Sequence, residues 1–197
     1  MTPRRGARAA LLAVLALAPL AHAATFEERA AACLACHGPK GQSATPLTPS
    51  IGGQPAFFVI AQLFLFRRGG RADPVMTAVA QPLTDDDLRT FGEWVSRLPP
   101  PAPPAEPPDG ERAARAVALL RRHPCAACHN ADFSGREQIP RLAHQREDYL
   151  LKVMREYRSG ARVGYGGAMA QELVGLSDAD LADLAHFLAH FPPAPGR

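Results

Sequence analysis

The sequence contains the pentapeptide Cys33-Leu-Ala-Cys36-His37 and, in its second half, the closely similar Cys125-Ala-Ala-Cys128-His129. In a helix, positions i, i+3 and i+4 share one face, so both thiols and the imidazole of each motif can reach the same bound group. Cys-x-x-Cys-His is the attachment pattern of haem c, in which the thiols form thioether links and the histidine binds the iron. The two motifs contain all four cysteines of the chain and predict two covalently bound haem c groups.

Cys-x-x-Cys pairs also occur in zinc sites, in thioredoxin-type redox sites and as disulfides. A structural zinc site brings two pairs together within about 15–20 residues, whereas Cys36 and Cys125 lie in different halves of the chain. A thioredoxin-type pair requires a βαβ context, which the sequence does not show. Disulfides that close such short loops stabilise a fold little. Haem attachment therefore explains both motifs best.

Further segments indicate that the chain is a tandem repeat. Pro49-Ser-Ile-Gly-Gly-Gln54 aligns with Pro140-Arg-Leu-Ala-His-Gln145, and an Arg-x-Gly-x-Arg segment and a late methionine follow in the same order in both halves. Matched landmarks in one order indicate a duplicated domain. The arginines of these segments either pair with haem propionates or lie on the surface; they are Arg67, Arg68, Arg71, Arg158 and Arg162.

A proline cluster separates the two halves. Seven prolines lie within residues 99–108, which predicts a semi-rigid extended spacer. Each half is long enough to form a small domain. We therefore expect a signal peptide over 1–23, a first haem domain over 24–98, a Pro-rich linker over 99–109 and a second haem domain over 110–197.

Residues 1–23 have the features of a secretory signal peptide. Arg4, Arg5 and Arg8 precede an apolar run that ends in Ala21-His22-Ala23, a small-x-small cleavage signal. The apolar run is shorter than the roughly 20 residues that cross a bilayer, so a retained anchor is the weaker alternative. We expect cleavage after Ala23 and export to the periplasm.

The charge balance excludes one class of partner. The chain has 22 Lys+Arg and 19 Asp+Glu, a formal net charge of +3, and the three leader arginines account for the whole excess. A neutral mature chain gives no indication of nucleic-acid binding by bulk charge. The hydrophobic fraction of 47% excludes a disordered chain.

Hydrophobic periodicity predicts an all-α chain. Thr84 and Ser177 are each followed three residues later by an aspartate, which is a capping-box pattern, and each precedes an apolar stripe with steps of three and four. The segment 57–66 is apolar on all sides, which favours a helix buried between haem and neighbouring domain over an exposed docking patch. Other helices are expected over about 25–36, 55–68, 111–128 and 146–159.

Two methionines are candidates for the sixth ligand of the haem irons. Met76 and Met169 each follow a motif by about 40 residues and are predicted to lie in loops before the final helix of their half. Met154 aligns with Leu63 inside a predicted helix, so we interpret it as part of the core. We expect His37 with Met76, and His129 with Met169, to be the axial pairs.

Histidines outside the motifs are weaker candidates. His144 is the alternative to Met169 as an iron ligand and would give a lower-potential haem. His186 and His190 stand four residues apart on the last predicted helix. We interpret this pair as a solvated face rather than a zinc site, because the apolar stripe of that helix lies at other positions.

Taken together, these motifs resemble a di-haem class I cytochrome c, and the sequence is most similar to the cytochrome c4 family. The resemblance implies an all-α fold of two tandem cytochrome c-type domains, each wrapped around one covalently attached haem. It also implies that the carbonyls of Pro49 and Pro140 accept a hydrogen bond from the proximal histidine of their half, which fixes the ring.

The function expected from these features is electron transfer. A haem with both axial positions filled by protein has no site for substrate, so we expect a periplasmic carrier between a respiratory or dehydrogenase donor and a terminal oxidase or reductase. The partners are redox proteins, and any membrane association runs through a partner. The alternatives are a haem enzyme, either a di-haem peroxidase or a small-substrate dehydrogenase, and a fixed cytochrome subunit of an oxidoreductase complex.

The halves also differ beside their motifs. Gly38 is replaced by Asn130 and Gly53 by His144. Because these positions lie close to the predicted ligands, we expect two unequal redox potentials.

Overall fold

The computed structural model describes residues 24–162 and 167–192. The signal peptide predicted over residues 1–23, and with it the expected cleavage after Ala23, lies outside the described residues. Within the described ranges no strand forms, and one isolated antiparallel bridge joins Arg136 to Ile139. The predicted all-α class is confirmed.

Both halves contain helices in the same order. The first half contains α1 (Phe26–His37), α2 (Ala56–Arg67), α3 (Pro74–Ala80) and α4 (Asp85–Arg97). The second half contains α5 (Gly110–Leu120), α6 (Cys125–His129), α7 (Glu147–Arg158), α8 (Ala168–Glu172) and α9 (Asp178–Ala189). Helix α4 packs against α2, which also contacts α3, while α9 packs against both α5 and α7. The final helix of each half is therefore a central packing element.

The helix that carries the motif differs between the halves. The sequence predicted one helix over about 111–128, but α5 ends at Leu120 and α6 begins only at Cys125. Pro124 lies between them, and a proline inside a helix removes a backbone donor and clashes with the preceding turn. The first half has no proline at this place, so α1 runs without a break through its motif.

Capping boxes begin the final helix of both halves, as predicted. Thr84 accepts from the backbone of Asp87, whose carboxylate accepts from Thr84 N at 2.8 Å. Ser177 and Asp180 repeat this arrangement, also at 2.8 Å. The apolar stripes that follow are buried, and their buried members are Leu88, Phe91, Val95, Leu181, Leu184 and Leu188.

Helix α2 is not buried on all sides, contrary to prediction. Phe57 is 56% and Phe64 46% exposed, although Phe66 on the opposite side is buried. Helix α2 packs against α3 and α4, and Phe57 and Phe64 are seven residues apart, so both fall on one outer face. The apolar composition of a helix does not tell how many neighbours cover it.

His186 was predicted to lie on a solvated face, and this is wrong. His186 is buried; its Nδ1 donates to Glu147 Oε2 at 2.9 Å and its Nε2 accepts from the backbone N–H of Asp109 at 2.8 Å. Because α5 and α7 cover α9 from two sides, positions beside the apolar stripe are enclosed as well. Glu147, His186 and His190 lie close enough to share a metal ion, but hydrogen bonds already use both ring nitrogens of His186.

We expect the variant Asp183→Asn to weaken the second half in a pH-dependent way. The carboxylate of Asp183 accepts from Arg115 Nε at 2.6 Å and from Arg112 Nε at 3.3 Å, and these arginines, Arg115 first, hold the pKa of Asp183 below its ordinary value. Such a lowered pKa stabilises the fold above the unfolded value of about 3.9, and the contribution is lost as pH falls through the folded pKa. The free energy of unfolding should drop by on the order of 1 kcal/mol at neutral pH, and by less below about pH 4.

Chemical denaturation at a series of pH values, followed by circular dichroism, measures this effect. Glu93→Gln is the matched control, because Glu93 forms an exposed pair with Arg97 within α4, at 3.8 Å. Pairs of that kind contribute little to stability. An equal loss in both variants, or a deficit that persists unchanged in acid, would contradict the role of Asp183.

Candidate haem sites

The first motif lies at the C-terminal end of α1. Cys33 and Cys36 are one turn apart, and His37 is the last residue of the helix. Gly38 ends the helix with φ of 79°, a region that favours glycine. A Cβ at Gly38 would lie 2.0 Å from the carbonyl oxygen of Gln42. The turn that directs the chain away from the motif therefore requires glycine.

In the second motif asparagine occupies the left-handed position that glycine occupies in the first. Asn130 follows His129 with φ of 69°, and asparagine is one of the few other residues that tolerate this region. The Asn130 side chain donates to the carbonyl of Gly135 at 2.8 Å and to Ser134 Oγ at 3.0 Å. The departure from glycine thus preserves the turn and adds hydrogen bonds to the following loop.

The two motif histidines are both buried and make the same hydrogen bond. His37 Nδ1 lies 2.8 Å from the carbonyl oxygen of Pro49, and His129 Nδ1 lies 2.9 Å from that of Pro140. Because a carbonyl only accepts, Nδ1 carries the proton in both rings and Nε2 keeps its lone pair. Burial lowers the pKa of both histidines, which favours the neutral imidazole. Both rings are therefore prepared to bind a metal through Nε2, and no described residue hydrogen-bonds that atom.

No disulfide joins the four cysteines, all of which lie within the described residues. Cys33 and Cys125 are half-buried, whereas Cys36 and Cys128 are exposed. Burial raises the pKa of the Cys33 and Cys125 thiols. The helical spacing places the two thiols of each pair on one face of the helix, and no disulfide joins them. Both thiols can therefore attach to one flat group that lies against the helix end.

Met76 and Met169 lie in short helices rather than in the predicted loops. Met76 is in α3, where the Asp73 carboxylate accepts from Met76 N at 2.9 Å and Pro74 opens the helix. Met169 is in α8, which follows Gly167. The capping group explains the error in the first half, since a short capped turn has too few residues to show a periodic apolar pattern. Both methionines are partly buried, and α3 contacts α2 as α8 contacts α7.

His144 is not available as an iron ligand. Its Nδ1 lies 3.1 Å from the carbonyl oxygen of Pro101, and its Nε2 lies 2.7 Å from that of Phe191. Carbonyl oxygens face both ring nitrogens, so a metal could reach either nitrogen only by displacing one of these contacts. His144 instead connects the proline-rich segment to the end of α9.

The partly buried Arg71 and the buried Arg162 form a polar cluster where the two halves meet. Arg71 donates to Gln62 Oε1 at 2.7 Å and to the Tyr149 hydroxyl at 2.8 Å, and Arg162 donates to the same Gln62 oxygen at 3.3 Å. The sequence left open whether these arginines lie on the surface. Arg67 and Arg158 instead bind the carbonyls of Leu83 and Leu176, the residues before the two capping boxes.

Two buried guanidinium atoms lack a hydrogen-bond partner among the described residues, Arg141 Nε and Arg162 Nη1. A buried unpaired donor is costly, so each is expected to meet an acceptor in the mature protein. The propionates of a haem are such acceptors. The motif thiols and imidazoles fit a haem in each half, and the two unpaired donors, which both belong to the second half, fit propionate acceptors there. Arg141 was not predicted, because its repeat counterpart is Ser50 and no motif marks it.

The repeated all-α fold and the paired motif geometry define a di-haem class I cytochrome c. A cytochrome c family model matches residues 113–192. Cytochrome c4 of Thiocapsa roseopersicina is 32% identical over 79% of this chain and 85% of its own length. A thiosulfate dehydrogenase electron acceptor of Thiomonas intermedia is 30% identical over 98% of this chain and 94% of its own length.

Structural comparison agrees. The structure of cytochrome c4 from Acidithiobacillus ferrooxidans matches with a TM-score of 0.74 at 26% identity, over 82% of this chain and 99% of that one. The chain belongs to the cytochrome c4 family, the di-haem electron-transfer cytochromes, and carries two covalently bound haem c groups. Within residues 24–162 and 167–192, every helix is too short or too polar to span a bilayer.

Proposed function

We propose that this protein is an exported periplasmic carrier that accepts electrons from a dehydrogenase or respiratory donor and passes them to a terminal oxidase or reductase. One haem belongs to residues 24–98 and the other to residues 110–197, with 99–109 as the linker. Thioether links run to Cys33 and Cys36 in the first domain and to Cys125 and Cys128 in the second. The observation that carries the proposal is the repeated proximal geometry, in which a buried neutral imidazole presents Nε2 in both halves.

The bound group supplies a one-electron iron couple, and the chain sets the conditions for it. The carbonyls of Pro49 and Pro140 hold the imidazoles and raise their basicity through the Nδ1 proton. The thioethers of Met76 and Met169 would hold the irons from the side chains of α3 and α8, and such ligands would favour the reduced iron and raise the potential. With four protein ligands assigned to two irons, no coordination position remains for a substrate. This assignment supports a carrier rather than a peroxidase or a small-substrate dehydrogenase.

A dehydrogenase donor is supported by the names of two relatives. The Thiomonas intermedia protein is named as an electron acceptor of thiosulfate dehydrogenase.

The alternative of a fixed cytochrome subunit has one favouring observation, the exposed Phe57 and Phe64 on α2. An exposed aromatic pair suits a lasting interface better than a transient one. Purification from the native membrane and soluble fractions separates the two, because a fixed subunit co-purifies with its complex in constant ratio.

We expect the purified holoprotein to take up two electrons in separate one-electron steps and to resist external ligands. Redox titration should show two potentials, since Asn130 and His144 make the second site different from the first. Cyanide should not bind rapidly to the oxidised protein, because both axial positions are filled. Met169→Ala is the control that opens one position and should bind cyanide. Rapid cyanide binding or peroxide turnover by the unmodified protein would favour the enzyme, and a single transition would contradict unequal haems.

A further inference from the structure

The side chain of Gln145, in the second half, holds a peptide group of the first half. Its Oε1 accepts from the backbone N–H of Ser50 at 2.8 Å, and its Nε2 donates to the Ser50 carbonyl at 2.7 Å. Gln145 and Ser50 are both buried. This two-point contact between buried groups fixes the Ser50 backbone in position.

The reverse contact is also present. Gln54, in the first half, accepts from the backbone N–H of Arg141 at 3.0 Å and donates to the Arg141 carbonyl at 3.0 Å. In the sequence repeat Gln54 aligns with Gln145, and Ser50 aligns with Arg141. The two glutamines therefore cross the interface in a pseudo-twofold manner, each reaching the equivalent residue of the other half.

Each of these contacts ends on the peptide group whose carbonyl accepts the hydrogen bond of a motif histidine. The Ser50 N–H belongs to the same planar peptide group as the Pro49 carbonyl, and that carbonyl accepts from His37 Nδ1 at 2.8 Å. The Arg141 N–H and the Pro140 carbonyl form the matching group beside His129, at 2.9 Å. A hydrogen bond to the N–H of a peptide polarises its carbonyl and strengthens the bond that the carbonyl accepts.

We propose that Gln145 and Gln54 are positioning residues, each of which holds and polarises the carbonyl that fixes the proximal histidine of the opposite domain. The inference rests on the proposed function only in that His37 and His129 bind the irons. The axial imidazole of each haem then depends on the docking of the other domain. Removing Gln145 weakens the hydrogen bond of His37, makes its imidazole less basic and raises the potential of the first haem, while the second changes less.

The test uses the holoprotein and the deuterium exchange of the Nδ1 protons of His37 and His129, followed by NMR. Gln145→Leu should speed the exchange of the His37 proton by up to about tenfold, the effect of losing one hydrogen bond completely, and should leave the His129 proton unchanged. Gln54→Leu should do the reverse. The potential of the haem in the domain opposite each substituted glutamine should rise.

Two further variants separate positioning from simple docking. Gln145→Glu keeps an acceptor for the Ser50 N–H and should restore slow exchange at His37. Asp148→Ala removes a different contact across the interface, the one from Leu47 N at 3.1 Å, and should change neither histidine. The proposal is overturned if Asp148→Ala speeds proton exchange as the glutamine variants do, or if each leucine variant speeds the exchange of both histidine protons equally. It is also overturned if no variant changes either exchange rate.

The readout also separates this inference from the proposed carrier function. If Met76 or Met169 proves not to bind iron, the proximal Nδ1 protons still report on the glutamines. If the carrier function holds and exchange is insensitive to both glutamines, the positioning role alone fails.

Discussion

The double substitution Cys125→Ser and Cys128→Ser is expected to reduce the covalently bound haem from two groups per chain to one and to unfold the second domain. The thioether links hold the cofactor permanently, so its apolar ring serves as part of the core of a small domain. His129 would remain, but it is buried with only a backbone carbonyl as its partner. Without the ring, the helices around it lose a large buried surface.

Haem content per chain, from the pyridine haemochrome spectrum and intact mass, measures the first effect. Helical circular dichroism measures the second. The matching pair Cys33→Ser and Cys36→Ser is the control, because it should remove the other haem and leave the second domain folded. Serine keeps the size of the side chain, so any loss follows from the missing thioethers. Full haem content in either double variant would contradict the attachment assignment.

Local sequence signals predicted most of the helices. The capping boxes at Thr84 and Ser177 lie where the pattern indicated, because a cap and its first turn involve residues only three apart. The single helix expected over 111–128 was wrong, because Pro124 interrupts the helix. This effect is also local.

Features that depend on how helices pack were predicted less well. His186 was assigned to solvent from its position beside the apolar stripe, but α5 and α7 enclose α9 and bury it. Phe57 and Phe64 were assigned to the interior because the whole segment is apolar, yet they lie on an outer face. In both cases the sequence shows what a side chain prefers, and the tertiary arrangement decides what covers it.

The residues of the candidate site also fall into two groups, those that local sequence patterns predict and those that depend on tertiary packing. The motif residues follow from spacing, and the carbonyls of Pro49 and Pro140 follow from the family resemblance. Arg141 and the crossed glutamines could not be predicted, because their roles arise from contacts between residues about 90 positions apart in the repeat. No local pattern encodes how two domains dock, although the repeat did pair Gln54 with Gln145.

Replacing the proposed axial methionines is expected to change the iron sites without changing the fold. In Met76→Ala and Met169→Ala, each variant should lose about half of the far-red band that a methionine–iron(III) bond produces, since one haem of two is affected. The potential of that haem should fall, because the thioether favours the reduced iron. Both positions lie in short helices, α3 and α8, and alanine is the best helix former, so the backbone should be kept.

Met154→Leu is the control that separates ligation from packing. Met154 is buried in α7 at 7% exposure, and its repeat counterpart is Leu63, so leucine should fill its place at a cost below about 1.5 kcal/mol. A core methionine contributes no iron band, and the spectrum of this variant should match that of the unmodified protein. If Met154→Leu lost the band, or if Met76→Ala and Met169→Ala both kept it, the thioether ligands would have to come from elsewhere. An iron held by histidine alone would leave one position open to substrate, which would favour an enzyme over a carrier.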